Sequence, residues 1–135
     1  MLSSFDVLPN GLRMMESHKN QSFLMRLRFA MAGIAHGLRT ERSLRTQALI
    51  LSLVVLALLI LRPAPLWWAL VIISSAAVLA AELFNTAIER LADHLHPDLH
   101  PEIRIVKDCA AAAVLCFTIA AVGVAIALVV DLARH

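Results

Sequence analysis

Two carboxylates and an amide stand at the end of a long apolar run. Residues 64–80 contain no charged side chain, and Glu82, Asn85 and Glu89 follow directly. Because each residue of an α-helix turns about 100°, these three positions share one helix face. An ionisable side chain at membrane depth is costly and by default marks a functional site, where a carboxylate can act as a general base. The structural alternative for Glu82 is a helix-capping or helix-pairing role.

A third carboxylate, Glu41, precedes the first apolar run and is expected to lie at a height similar to that of Glu89. Two carboxylates from different helices at one level form an oxygen site of the kind that Mg²⁺ prefers, together with phosphate oxygens. The alternative for Glu41 is a surface ion pair with Arg42 or Arg45.

Lys107 and Asp108 are expected to open the third apolar helix. A lysine beside the N–H groups of a helix N-terminus attracts phosphate, although Lys107 could equally be an anchor at the membrane interface. The preceding loop holds His94, His96 and His100, but its two prolines break any regular spacing, so contact with a ligand is favoured over a zinc site. The four glycines form no phosphate-binding loop, so a nucleotide would be held without one.

The composition indicates a membrane protein. The chain has 135 residues, of which 60% are apolar, well above the roughly 45–50% typical of globular domains. The net charge of +2, without a basic stripe, argues against nucleic acid as a partner. Apolar runs and helical spacing predict an all-α fold with one membrane domain, residues 22–135, after a loose tail, residues 1–21. Its expected elements are an amphipathic surface helix at about 22–38 and transmembrane helices at about 46–61, 64–90 and 107–131.

The distribution of Lys and Arg predicts the orientation in the membrane. Seven of these residues lie in residues 1–46 and three in 82–108, whereas the opposite side has only Arg62 and Arg134. The N-terminus and the 82–108 segment, expected as a loop, are therefore predicted to face the cytoplasm. A cleaved signal peptide is not expected, because the first apolar run begins too late in the chain.

The motif Glu82-Leu83-Phe84-Asn85-Thr86-Ala87-Ile88-Glu89, with Asp93 beyond it, resembles the signature of the prokaryotic diacylglycerol kinase and undecaprenol kinase family. Lys107-Asp108, followed by an alanine-rich helix, falls at the family's spacing, and Arg39-Thr40-Glu41-Arg42 resembles its first acidic block. The resemblance covers roughly residues 22 to 130. The Arg-Thr-Glu-Arg block and His100-Pro101 resemble the undecaprenol kinase branch slightly more closely, and the lipid acceptor stays open between the two branches.

The resemblance implies a small integral kinase of the bacterial cytoplasmic membrane. Such an enzyme would be a homotrimeric helical bundle with active sites between subunits, and it would transfer the γ-phosphate of ATP to the hydroxyl of diacylglycerol or undecaprenol. By this analogy Glu82 is the catalytic base, and Asn85 orients the base or the lipid acceptor. Glu41 and Glu89 hold Mg²⁺ and the nucleotide, which Asp98, His100, Lys107 and Asp108 also contact.

A non-catalytic membrane protein is the alternative from a different class. Such a protein would bind a divalent cation or scaffold a complex through the same acidic cluster. It would tolerate Glu82→Gln, because a neutral isostere still packs and forms hydrogen bonds, whereas a kinase would lose turnover.

Overall fold

Four α-helices make up the regular structure of the part of the chain that the computed structural model describes, residues 22–96, 98 and 100–134. They are α1, Phe23–Thr40; α2, Arg42–Leu61; α3, Pro65–Leu95; and α4, Pro101–Arg134. The predicted tail, residues 1–21, lies outside the described residues. The all-α prediction is confirmed, and α1 coincides with the predicted amphipathic helix, whose position on a membrane surface stays a prediction.

The structure divides into two units between Ala35 and His36. In the first unit, α1 begins after Ser22, whose Oγ accepts a hydrogen bond from the backbone N–H of Met25 over 3.4 Å. This bond satisfies one of the N–H groups that every helix start leaves without an intrahelical partner. The second unit contains the last turn of α1 together with α2, α3 and α4, and all the predicted site residues lie in it.

The three helices α2, α3 and α4 are long and apolar enough to cross a membrane, which agrees with the predicted number of spans. They contain 20, 31 and 34 residues respectively. At about 1.5 Å per residue, α3 and α4 exceed a hydrocarbon layer of about 30 Å by several turns. Both helices are therefore longer than one crossing needs, and the second half of α3 carries Glu82, Asn85 and Glu89.

The connection between α2 and α3 is a tight turn, as its prolines predict. Arg62 adopts the left-handed conformation at φ 48°, ψ 51°, and its backbone N–H donates to the carbonyl of Leu58 over 2.9 Å. Pro65 starts α3 at a position where a helix needs no N–H donor. A cluster of Leu58, Val71 and Leu128 packs beside this turn and joins all three helices.

The break between α1 and α2 is a single extended residue, Glu41, at φ −101° and ψ 124°. Its N–H donates to the carbonyl of Gly37 over 2.8 Å, so the chain turns without losing this hydrogen bond. Gly37 is buried, and a Cβ added there would lie 3.0 Å from Cδ2 of Leu44 and 3.2 Å from Cδ2 of Leu83. The small residue thus lets the α1–α2 junction approach α3 closely.

The 82–108 segment differs from its expected form. Residues 82–95 belong to α3 and residues 101–108 to α4, so only residues 96–100 lie between the helices. The prediction of a loop is wrong, and α4 begins at Pro101 rather than at Lys107. Where the third span enters the membrane stays a prediction. Apolar and polar residues mix in 101–108, and such an amphipathic extension gives no continuous apolar run from which a helix start can be recognised.

Candidate functional site

Three carboxylates line one cavity of about 340 Å³, termed here the carboxylate cavity. Its wall comes from the start of α2, the polar part of α3 and one turn of α4. The lining residues are Glu41, Ser43, Glu82, Asn85, Thr86, Glu89, Ala111 and Val114. Four residues predicted from the sequence, Glu41, Glu82, Asn85 and Glu89, are therefore brought together.

Glu82 is the most enclosed of the ionisable side chains in the described residues, with 6% of its surface exposed. Its Oε2 accepts a hydrogen bond from Oγ of Ser43 over 2.9 Å, which fixes the carboxylate from the neighbouring helix α2. The structure gives no such partner for Oε1 among the described residues. One oxygen of Glu82 is thus held in place while the other stays available to a ligand in the cavity.

Asn85 lies one turn beyond Glu82 and forms a hydrogen bond with Glu89. Its Nδ2 donates to Oε1 of Glu89 over 3.0 Å, and this places the amide nitrogen, rather than the oxygen, against the carboxylate. The amide oxygen Oδ1 is buried and has no hydrogen-bond partner among the described residues. Since buried polar atoms are nearly always paired, this acceptor calls for a donor or a cation from outside the described part of the chain.

Glu41 lies at the rim of the cavity, but the alternative pairings with Arg42 and Arg45 do not form. Its Oε1 instead accepts a hydrogen bond and ion pair from the guanidinium of Arg90 over 3.0 Å. Glu41 and Glu89 both line the carboxylate cavity. This agrees with the expectation that the two carboxylates lie at a similar height in the helical bundle.

The carboxylate cavity fits a divalent cation such as Mg²⁺ by the chemistry of its donors. The oxygens of Glu41 and Glu89, with the unpaired Oδ1 of Asn85, are hard ligands of the kind that Mg²⁺ takes. Within the described part of the chain, no three acidic, histidine or cysteine side chains converge on one point. A cation here would therefore take further oxygens from phosphate and water, which is usual for Mg²⁺.

Lys107 and Asp108 lie outside the cavity lining, and the argument that placed them at a helix start is wrong. Because α4 begins at Pro101, both residues are well inside the helix, away from its free N–H groups. Lys107 forms an ion pair with Asp93 of α3, and Asp108 lies 3.8 Å from Arg104. Lys107 nevertheless shares a helix face with the lining residues Ala111 and Val114, at spacings of four and seven.

Asp98 and His100 are exposed residues of the short connection between α3 and α4. The ring Nδ1 of His100 accepts from the N–H of Glu102 over 3.2 Å, and its carbonyl accepts from the N–H of Arg104 over 3.1 Å. His100 thus stabilises the start of α4 in this structure, and neither residue lines the carboxylate cavity.

Ser43 and Arg90 are site residues that the sequence analysis did not single out. Their contacts join positions 39 and 49 residues apart, to Glu82 and Glu41 respectively. No local pattern reveals contacts at such separations. A serine in the first turn of a helix that carries Glu41 at its cap is the one sequence feature that could have suggested Ser43.

An apolar groove of about 210 Å³ begins one helical turn before Glu82 along α3, where Val78 and Leu79 line it. It runs between α2, α3 and α4, with Ser74 and Ser75 among its few polar residues. Oγ of Ser74 donates to the carbonyl of Val71 over 3.2 Å. The Ser74 hydroxyl is thus paired within its own helix, and its predicted helix-packing role stays a prediction.

Comparison with known proteins supports the assignment that the motif suggests. Residues 28–129 match the family described as Prokaryotic diacylglycerol kinase. A diacylglycerol kinase of Synechocystis sp. is 34% identical over 102 residues, which are 75% of this chain and 58% of that protein. The chain thus covers less than two thirds of that relative's length. Because the family match spans most of the sequence, including Glu41, the Glu82–Glu89 motif and Lys107-Asp108, this chain belongs to the prokaryotic diacylglycerol kinase family.

Proposed function

We propose that this protein transfers the γ-phosphate of ATP to the hydroxyl group of a membrane lipid, either diacylglycerol or undecaprenol. The observation that carries the proposal is the carboxylate cavity, in which a buried Glu82 lies beside the carboxylates of Glu41 and Glu89. Phosphoryl transfer requires positioning, charge neutralisation and a base for the attacking hydroxyl, and this cavity offers residues suited to each task.

Glu82 is the proposed catalytic base. The acceptor oxygen forms a bond to the γ-phosphorus, the bond from that phosphorus to the β–γ bridging oxygen breaks, and ADP leaves. The hydroxyl proton passes to Glu82, whose Oε1 has no partner while Ser43 holds Oε2. The apolar groove below Glu82 would take part of the hydrocarbon chain of the lipid, which brings a membrane-embedded hydroxyl to the base.

Glu41 and Glu89 are proposed to hold Mg²⁺, which when bound would neutralise charge on the ATP phosphates. Asn85 fixes Glu89 through its amide nitrogen and is proposed to orient the base or the lipid acceptor. Lys107, Asp108, Asp98 and His100 are proposed as further nucleotide contacts. The first two would have to exchange their present ion pairs for contacts with ATP.

The assembly and orientation are part of the same proposal. We propose a homotrimer with sites between subunits, in which a neighbouring chain closes the carboxylate cavity. The predominance of Lys and Arg in residues 1–46 and 82–108 favours a cytoplasmic position for the cavity, where ATP is available.

The test is transfer of radiolabelled γ-phosphate from Mg·ATP to lipid by the purified protein in detergent micelles. Diacylglycerol and undecaprenol are offered separately, with Glu82→Gln as the matched variant. Label in one lipid that is lost in the variant supports the kinase and identifies its acceptor. No label in either lipid, from protein shown to be folded, contradicts the proposal for these acceptors. Binding of Mg²⁺ by the parent protein without any turnover, and unchanged in Glu82→Gln, would favour a non-catalytic, cation-binding protein.

A further inference from the structure

Arg90 joins the carboxylate cavity to the α1–α2 junction. One guanidinium nitrogen, Nη2, donates to Oε1 of Glu41 over 3.0 Å and to Oγ1 of Thr40 over 2.9 Å. The other, Nη1, contacts Nε2 of His36. Among the described residues, Arg90 is the cation that forms an ion pair with a carboxylate of the cavity.

Stability alone does not account for this arrangement. The side chains of Arg90 and Glu41 are 48% and 30% exposed, and ion pairs this accessible to water contribute only about 0–1 kcal/mol. The geometry is nevertheless specific, since the planar fork of an arginine engages three groups at once. A lysine, as a point charge on a flexible stem, cannot reproduce such a set of contacts.

The contacts of Arg90 orient the Glu41 carboxylate. Oε1 is engaged by Arg90 and lies 3.3 Å from the hydroxyl of Thr40, whereas Oε2 has no hydrogen-bond partner among the described residues. A carboxylate that is held through one oxygen presents the other in a fixed direction, as partners behind metal ligands commonly do. The positive charge also lowers the repulsion between Glu41 and the other carboxylates of the cavity.

We propose that Arg90 is a positioning residue for the nucleotide end of the site, where it holds Oε1 of Glu41 so that Oε2 can bind the divalent cation of Mg·ATP. This inference rests on the proposed function of the carboxylate cavity. It assigns to Arg90 an effect on Mg·ATP affinity, exerted through Glu41, and none on the lipid acceptor or on the proton transfer to Glu82.

The experiment compares Arg90→Met and Arg90→Lys with the full-length parent protein. Arg39→Met is the matched control, because Arg39 is an exposed arginine next to the same junction for which the structure gives no ion pair. Two quantities are measured: the Kd of a non-hydrolysable Mg·ATP analogue by equilibrium dialysis, and the separate kcat and KM values for Mg·ATP and for lipid. Arg90→Met is also combined with Glu41→Gln.

We expect Arg90→Met to raise both the analogue Kd and the KM for Mg·ATP about tenfold, the size of one lost hydrogen bond to a charged group. The kcat and the KM for lipid should stay within about twofold, Arg90→Lys should recover only part of the loss, and Arg39→Met should leave the Kd unchanged. In the Glu41→Gln background, Arg90→Met should add less than about twofold, because its effect passes through Glu41.

Three results overturn the inference while leaving the proposed function intact: an unchanged Kd in Arg90→Met, an equal effect of Arg39→Met, or a full tenfold effect in the Glu41→Gln background. The last result would indicate that Arg90 contacts the phosphates directly. If the parent protein neither binds the analogue nor labels lipid, the proposed function fails and the inference fails with it.

Discussion

The two ends of the α2–α4 bundle are built differently. Near the α2–α3 turn, Leu58, Val71 and Leu128 are buried together, and Nε1 of Trp67 donates to Oδ2 of Asp131 over 2.8 Å. At the other end lie three carboxylates around a cavity of about 340 Å³ and a buried amide oxygen without a partner. Apolar packing and a paired polar contact hold the first end together, whereas the second end leaves space and hydrogen-bonding capacity unused. This contrast indicates that the carboxylate end is maintained for a ligand rather than for stability.

The largest effect is expected at the carboxylate end. Glu82→Gln should lower the kcat for lipid phosphorylation by about 10²–10⁴-fold, the usual contribution of a general base. The unfolding transition should hardly change, because a glutamine oxygen can still accept the hydrogen bond of Ser43. Radiolabel transfer and thermal unfolding in detergent measure the two quantities. Glu102→Gln, an exposed carboxylate outside the cavity, is the control. Equal loss in both variants would refute a special role for Glu82.

A smaller effect at the same end should follow from loss of the Ser43 hydroxyl. Ser43→Ala removes the one hydrogen bond that orients Oε2 of Glu82, so kcat should fall about tenfold, or about 1.4 kcal/mol in the activation barrier. The control is Ser52→Ala, since Ser52 donates only to the carbonyl of Ala48 in its own helix. If the two variants retain the same kcat, Ser43 does not position the base.

Substitutions near the α2–α3 turn should change the stability of the protein and leave its kcat unchanged. Trp67→Phe removes the donor to Asp131 and should lower the free energy of unfolding by about 1 kcal/mol. Trp68→Phe is matched, because Trp68 packs against the same cluster without a hydrogen bond in the structure. Unfolding titrations in mixed micelles compare the two variants. A change in kcat for Trp67→Phe, with unchanged stability, would show that the two ends are not independent.

The smallest effect is expected from Gly37→Ala, which tests how closely the α1–α2 junction approaches α3. Alanine improves helix propensity over glycine by up to about 1 kcal/mol, but a Cβ at Gly37 would press on the side chains of Leu44 and Leu83. We expect Gly37→Ala to gain no stability, whereas Gly33→Ala should gain about 0.5–1 kcal/mol, because a Cβ there meets nothing within 4 Å. The same unfolding titration decides this comparison. An equal gain in stability in both variants would mean that the junction can accommodate a Cβ at position 37 without a steric clash.

Hydropathy and helical period predicted much of this structure. Three apolar runs correctly indicated three helices long and apolar enough to cross a membrane, and the spacing of Glu82, Asn85 and Glu89 correctly indicated a shared face in one cavity. Both signals are local, because a membrane requires a long apolar segment and a helix repeats every 3.6 residues.

The errors and omissions come from features that are not local. The α4 start at Pro101 escaped detection because residues beyond the apolar layer need not be apolar to remain helical. Ser43 and Arg90 escaped because their partners lie far away in sequence, and only the packing of α2 and of the α1–α2 junction against α3 brings them together.

The turn at Arg62 has a consequence for how the protein enters its membrane. Only residues 62–64 separate α2 from α3, and a chain that short spans at most about 11 Å, far less than a hydrocarbon layer of about 30 Å. The end of α2 and the start of α3 must therefore always be on the same side of the bilayer. The two helices therefore form a hairpin whose tip carries the charged residue Arg62. In the orientation proposed above, with a cytoplasmic N-terminus, Arg62 has to cross the lipid with this tip, which is costly for a charged side chain.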